Sequence, residues 1–258
     1  MSNFDRNAPA WGAGRAQQAS AVEMDQGLRS FMLGVYNNMS IGLAITGLVA
    51  IGISMLAIAG VSPTGKVTAL TPLGQALYLS PLKWVVMLAP LAFILFFSFK
   101  AESMSSSTAR AMFFAFAAVM GVSLSSIFIV FTGESIARVF FITAATFGGV
   151  SLYGYTTKKA LSGMGSFLIM GLIGLVIASV VNIFLASSAL QFAISVIGVL
   201  VFAGLTAWDT QRLKEMYLYS DMGPEEAAKM SVNGALSLYL NFVNMFQMLL
   251  SLFGNKSE

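Results

Sequence analysis

Asp209 and a line of amides and hydroxyls at Asn233, Ser237, Asn241, Asn244 and Ser251 are the side chains of this sequence best placed to do chemistry. Asp209 ends a long apolar run, in Gly204-Leu-Thr-Ala-Trp-Asp-Thr-Gln-Arg-Leu-Lys214, and no other carboxylate comes as close to the interior of an apolar run. A carboxylate at the edge of hydrocarbon is costly, so by default it marks a site that holds a cation or exchanges a proton. The five polar residues of the last run recur at helical spacing and form one stripe, while Leu238, Phe242, Met245, Phe246 and Leu249 cover the other sides. Amides facing lipid would leave hydrogen-bonding groups unsatisfied, so the stripe is expected to face protein or water. Interhelical hydrogen bonding and a hydrated path are equally weighted readings of it.

Other chemistries are excluded by composition. The chain has no His and no Cys, which removes Ser/His and Cys/His catalysis, thiol redox work and the usual zinc ligands. An intramembrane aspartyl protease needs two apposed carboxylates, and Asp209 stands alone. The glycine pairs Gly163/Gly165 and Gly148/Gly149 follow no strand, so they form no phosphate loop and are expected to allow close helix packing. No basic stripe for nucleic acid is present. The expectation is a protein that is not an enzyme, has no catalytic residues and needs no cofactor.

The elements that must position Asp209 and the stripe are membrane helices. Hydrophobic residues make up 57% and charged residues 10% of the chain, with a mean hydropathy of +0.81, far from the roughly 25% charge of soluble domains. Seven apolar runs, near 31–59, 84–99, 111–131, 136–156, 166–187, 189–208 and 231–253, are long enough to cross a bilayer. The predicted class is therefore an all-α, polytopic membrane protein. Asn37, Asn38, Ser40 and Asn182 lie in other runs and could meet the stripe.

The first 28 residues lack the apolar core of a cleavable signal peptide and read as a disordered cytoplasmic tail. Residues 29–254 form one transmembrane domain, and residues 255–258 a short C-terminal tail. With the N-terminus cytoplasmic, ten of the Lys and Arg residues fall inside and four outside, which follows the positive-inside bias. The net charge of +3 suits anionic lipid at that face. Seven crossings put the C-terminus outside; a re-entrant last run ending inside is the alternative. In the connector, Pro224 followed by Glu225 and Glu226 resembles a helix start.

Two segments carry a family resemblance. Trp208-Asp209-Thr210-Gln211-Arg212-Leu213-Lys214 and Ala235-Leu236-Ser237-Leu238-Tyr239-Leu240-Asn241-Phe242-Val243-Asn244-Met245-Phe246, closed by Leu249 to Gly254, resemble the paired C-terminal motifs of the transmembrane Bax inhibitor motif family, in its Bax inhibitor-1 group. The resemblance is specific over about the last 50 residues and is joined by the seven runs. It implies a bacterial inner-membrane member whose fold is a seven-helix bundle, six helices around a central, partly polar seventh, and whose activity is a pH-sensitive calcium leak.

In family members with that activity, one aspartate ends the sixth helix and a second lies inside the seventh. Asp209 matches the first position and Asn241 occupies the second, so Asp209 and Asn241 are the candidate pore and proton-sensing pair. Asn241 cannot ionise but can donate to a charged Asp209, so the coupled titration of two carboxylates loses one partner here. A tight calcium site takes about six to eight oxygen ligands. Asp209 with Asn241, Asn244 and carbonyls is expected to form only a weak transit site, which suits a conducted ion. Asn233, Ser237 and Asn244 are candidate path-lining residues, and Arg212 or Arg110 a latch at the cytoplasmic end. Two functional readings follow: a cation channel or transporter, and a non-transporting protein that binds other membrane proteins, such as a quality-control protease, through its tail and helix faces.

Overall fold

In the computed structural model the chain is described over residues 10–62, 67–100, 103–220 and 222–256, with residues 10–23 as backbone only. Among the described residues, seven helical segments are long and apolar enough to span a membrane: α1 (Ala10–Ala57), α3 (Leu82–Lys100), α4 with the short α5 (Ser106–Leu124 and Ile127–Val130), α6 (Gly133–Thr156), α7 (Ser162–Leu185), α8 (Ser188–Tyr219) and α9 (Pro224–Phe253). A hairpin of β1 (Ile58–Val61) and β2 (Val67–Leu70), followed by α2 (Pro72–Tyr78), joins α1 to α3.

Helix starts follow local chemistry. Ser105, Thr132 and Ser187 accept hydrogen bonds from the backbone N–H three residues on, at Thr108, Ser135 and Leu190, and so cap α4, α6 and α8. Pro224 opens α9 with Glu225 and Glu226 in its first turn, where a missing N–H costs nothing and the helix dipole favours acids. Pro90 lies inside α3, as membrane helices tolerate.

Helix α9 is the centre of the bundle. Its middle is buried on nearly all sides, including Leu238, Tyr239, Phe242, Met245 and Leu249. It packs directly on α1, α4, α6 and α8, while α3 packs on α4 and α7 on α8. Tyr239, fully buried, ties α9 to two of these neighbours. Its hydroxyl lies 2.7 Å from Thr46 Oγ1 of α1, which in turn donates to the Ala117 carbonyl of α4 at 2.8 Å. Its ring meets Phe113 and Phe116 edge-on, at centroid distances of 5.5 and 5.8 Å, an arrangement that the ring quadrupoles favour.

The two ends of α9 lie at opposite ends of the bundle. At the first end, Glu225 Oε1 and Oε2 accept from Ser106 N and Oγ at 2.6 and 2.8 Å, joining the starts of α9 and α4. At the second, Asn255 N donates to Ser135 Oγ at 2.8 Å and the Asn255 carbonyl accepts from Thr132 N at 3.2 Å, beside the start of α6. The last run is one unbroken helix of 30 residues, about 45 Å long, that runs from one end of the bundle to the other. Of the amides in its polar stripe, Asn241 finds a partner on a neighbouring helix, Asp209 of α8.

Several boundaries differ from the hydropathy pattern. Helix α1 is continuous from Ala10, so residues 10–28 of the expected tail belong to the same helix as the first span, and residues 1–9 lie outside the described residues. Leu28, Phe31 and Met32 are buried in the core, which is why no break falls at residue 28. Helix α8 runs eleven residues past Trp208, to Tyr219. Residues 255 and 256 are pinned against α5 and α6, through the bonds of Asn255 and a bridge between Lys256 and Phe131.

Candidate functional site

The segment from Trp208 to Lys214 is the seam where α8 joins its neighbours, and consecutive residues point to different partners because each helical step turns the side chain about 100°. Asp209 turns toward α9. Thr210 turns to α6, its Oγ1 3.0 Å from Ser151 Oγ, which lies 2.6 Å from the Tyr36 hydroxyl of α1. Gln211 is buried at the α6–α7 connection: its Oε1 accepts from Leu161 N at 2.7 Å, and its Nε2 donates to the Lys159 carbonyl at 2.8 Å. Lys214 Nζ donates to the Tyr155 carbonyl at 2.9 Å and lies over that residue's ring.

Backbones approach closely along this seam. A Cβ on Gly154 of α6 would collide with the Ala207 carbonyl, and one on Gly165 of α7 with the Trp208 indole. Close packing, expected of the glycine pairs, holds at Gly165 and fails at Gly148, Gly149 and Gly163, where a Cβ would meet open space. No atom lies within 4 Å of such a Cβ at those three positions.

Asp209 is 7% exposed, and its Oδ2 accepts two hydrogen bonds from α9, from Asn241 Nδ2 at 2.7 Å and Ser237 Oγ at 2.8 Å. Ser237 and Asn241 stand four residues apart and so project from one face, one above the other, onto a single oxygen. Asp209 lies ten residues before the end of α8, about 15 Å of helix from the first end of the bundle.

A polar cavity of about 440 Å³ opens beside this cluster between α8 and α9. Its walls include Asp209, Arg212, Glu226, Lys229, Asn233 and Ser237. The Arg212 guanidinium is exposed and lies over the Trp208 ring, 5.2 Å from its centroid. Arg110 is exposed on α4 and is not among the cavity's lining residues, so of the two latch candidates only Arg212 stands beside Asp209.

Beyond Asn241 the stripe closes. Asn244 turns back onto its own helix, donating to the Leu240 carbonyl at 2.8 Å. The next position on that face is Met248, whose Cγ fills the space over Gly198 of α8. Asn182, expected near the stripe, instead joins the α7–α8 turn, accepting from Ser187 N at 3.1 Å and donating to Gln191 Oε1 at 3.2 Å. The arrangement can hold a cation or a proton at Asp209, reached from the first end and stopped short of the second.

Thr210, Gln211, Lys214 and Tyr239 are the structural partners that sequence reasoning missed. Polar residues just past an apolar run read as solvated, and only the abrupt succession of four polar side chains from Asp209 to Arg212 hinted at partners.

Comparison with known proteins identifies the family. The family described as "Inhibitor of apoptosis-promoting Bax1" matches residues 28–258. An uncharacterized protein of Caulobacter vibrioides is 46% identical over 274 aligned positions that cover all of both chains. The inner membrane protein YbhL of Escherichia coli strain K12 is 42% identical, over 92% of this chain and 96% of its own. An uncharacterized protein of Rickettsia prowazekii is 43% identical, over 91% and 93% of the two chains.

Proposed function

Because the chain belongs to the family of inhibitors of apoptosis-promoting Bax1, in its Bax inhibitor-1 group, we propose that it is a cation leak pathway of the bacterial inner membrane, with calcium as its ion. The observation that carries this reading is the Asp209 carboxylate, held by two α9 side chains at the inner end of a polar cavity that opens at one end of the bundle. Lys and Arg of the described residues concentrate at that end, and the positive-inside bias supports it as the cytoplasmic one.

Asp209 is the cation's resting point. One carboxylate with Ser237, Asn241 and water offers too few charged oxygens for tight calcium binding, and loose binding is what conduction needs. Arg212 and Lys229 at the cavity wall oppose cation entry, so withdrawal of Arg212 from the mouth favours the loaded state. The barrier is the apolar contact of Met248 with Gly198 and the buried α9 core behind it. Conduction requires α8 and α9 to part there. Proton sensitivity arises because protonation of Asp209 removes the charge that attracts the ion and gives Oδ2 a competing donor, loosening its bonds to α9.

The test is calcium entry into dye-loaded vesicles. Wild type is expected to conduct, Asp209→Asn to lose most of the flux, and Asn241→Asp to shift the midpoint of the pH dependence by adding a second titrating carboxylate. Flux equal to protein-free vesicles in all three defeats the proposal, and coincident pH midpoints defeat the carboxylate coupling.

A further inference from the structure

A groove of about 1180 Å³ separates α1 from α6, with Phe242 of α9 as part of its floor. We propose that it seats one membrane phospholipid carrying both a phosphate and an ammonium group, with one of its two acyl chains between the two helices. The inference is independent of ion conduction.

The walls are small residues facing each other across a gap. Ser40, Ala44 and Gly47 line it from α1, and Ala144, Gly148 and Ser151 from α6. Both triplets follow the spacing that elsewhere brings membrane helices into close contact. Here the helices stand apart, and a Cβ on Gly47 or Gly148 would meet no atom within 4 Å. The groove follows α1 from Asp25 to Ile51, about 39 Å of helix. That accommodates lengthwise an acyl chain reaching half of the roughly 30 Å hydrocarbon core.

Charge selects the occupant. Apart from the hydroxyls of its tyrosines and serines, the polar lining is Asp25 and Arg29, both exposed at the first end of the bundle. They are one turn apart on one helix face. Arg29 presents the planar donors that suit a phosphate, and Asp25 an acceptor for an ammonium, the complement of a phosphatidylethanolamine head group. An anionic head group would gain Arg29 and be repelled by Asp25.

The site is wired to the polar seam. Tyr36 and Ser151 line the groove and hydrogen-bond each other, and Ser151 contacts Thr210, the neighbour of Asp209 in sequence.

The experiment is intact-mass measurement of the full chain released from micelles after equilibration with equal amounts of phosphatidylethanolamine and phosphatidylglycerol. Gly148→Leu places a side chain in the groove. Gly149→Leu, at a neighbouring position that is also open but does not line the groove, is the matched control. Wild type and Gly149→Leu are expected to retain one phosphatidylethanolamine per chain, Gly148→Leu to lose at least tenfold of that retention with an unchanged unfolding midpoint, and Asp25→Asn to lose the preference between the two lipids. Equal retention by both leucine variants overturns the proposal. So does no retained lipid in wild type, or equal retention of phosphatidylglycerol. A wild-type dimer that Gly148→Leu converts to monomer would assign the groove to a second copy and overturn it as well.

Discussion

Replacing Asn241 by Leu removes one of the two donors to Asp209 Oδ2 while keeping similar bulk in a buried position. Two magnitudes compete for this contact. Neutral hydrogen bonds between membrane helices average about 0.6 kcal/mol in double-mutant cycles, whereas hydrogen bonds to charged groups contribute about 1.5–3 kcal/mol. An ionised Asp209 puts this bond in the charged class. Asn241→Leu is therefore expected to destabilise the bundle by about 2 kcal/mol, roughly a 30-fold loss in the folding constant. In the background of Asp209→Leu the same change is nearly neutral, because both partners are then apolar. The coupling energy of the cycle is about 2 kcal/mol. It can be read from detergent unfolding followed by tryptophan fluorescence, with Trp208 beside Asp209 as a local reporter. A coupling below about 0.5 kcal/mol would refute a charged Asp209 held by Asn241.

Other outcomes follow from the same geometry. Gly154→Ala forces a methyl into the Ala207 carbonyl, and backbone cannot yield as a flexible side chain can; a loss of about 2–3 kcal/mol is expected in the same unfolding assay, against little change for Gly149→Ala, which meets open space. Met248→Ala removes the side chain that covers Gly198 and is expected to raise calcium flux severalfold in loaded vesicles. Unchanged flux with intact protein would place the barrier elsewhere.

Asp209 was legible in the sequence because a charge at the end of an apolar run has no cheap structural explanation. Ser237 and Asn241 were legible because four-residue spacing on a mostly apolar helix defines one face, and they meet Asp209 on that face. The extension of α8 to Tyr219 was not, since hydropathy falls after Trp208 whether the helix continues or ends. Gln211 and Thr210 were hidden for the same reason: a polar residue near a helix end reads as solvated, and only the positions of Leu161, Lys159 and Ser151 give it buried partners. The β1–β2 hairpin was missed because each strand is four residues long, too short for alternation to register. The gap between α1 and α6 runs against its own sequence signal, since small residues usually predict contact.

The chain contains no cysteine, so a single introduced thiol reports on one position without background. Asn233 is exposed and lines the cavity that leads to Asp209. Calcium flux through Asn233→Cys, measured before and after a bulky membrane-impermeant thiol reagent is applied from the side of the polar cavity, tests whether that cavity is the ion's route. The reagent is expected to abolish flux in Asn233→Cys and to leave the wild type unaffected. Complete labelling with unchanged flux would contradict it.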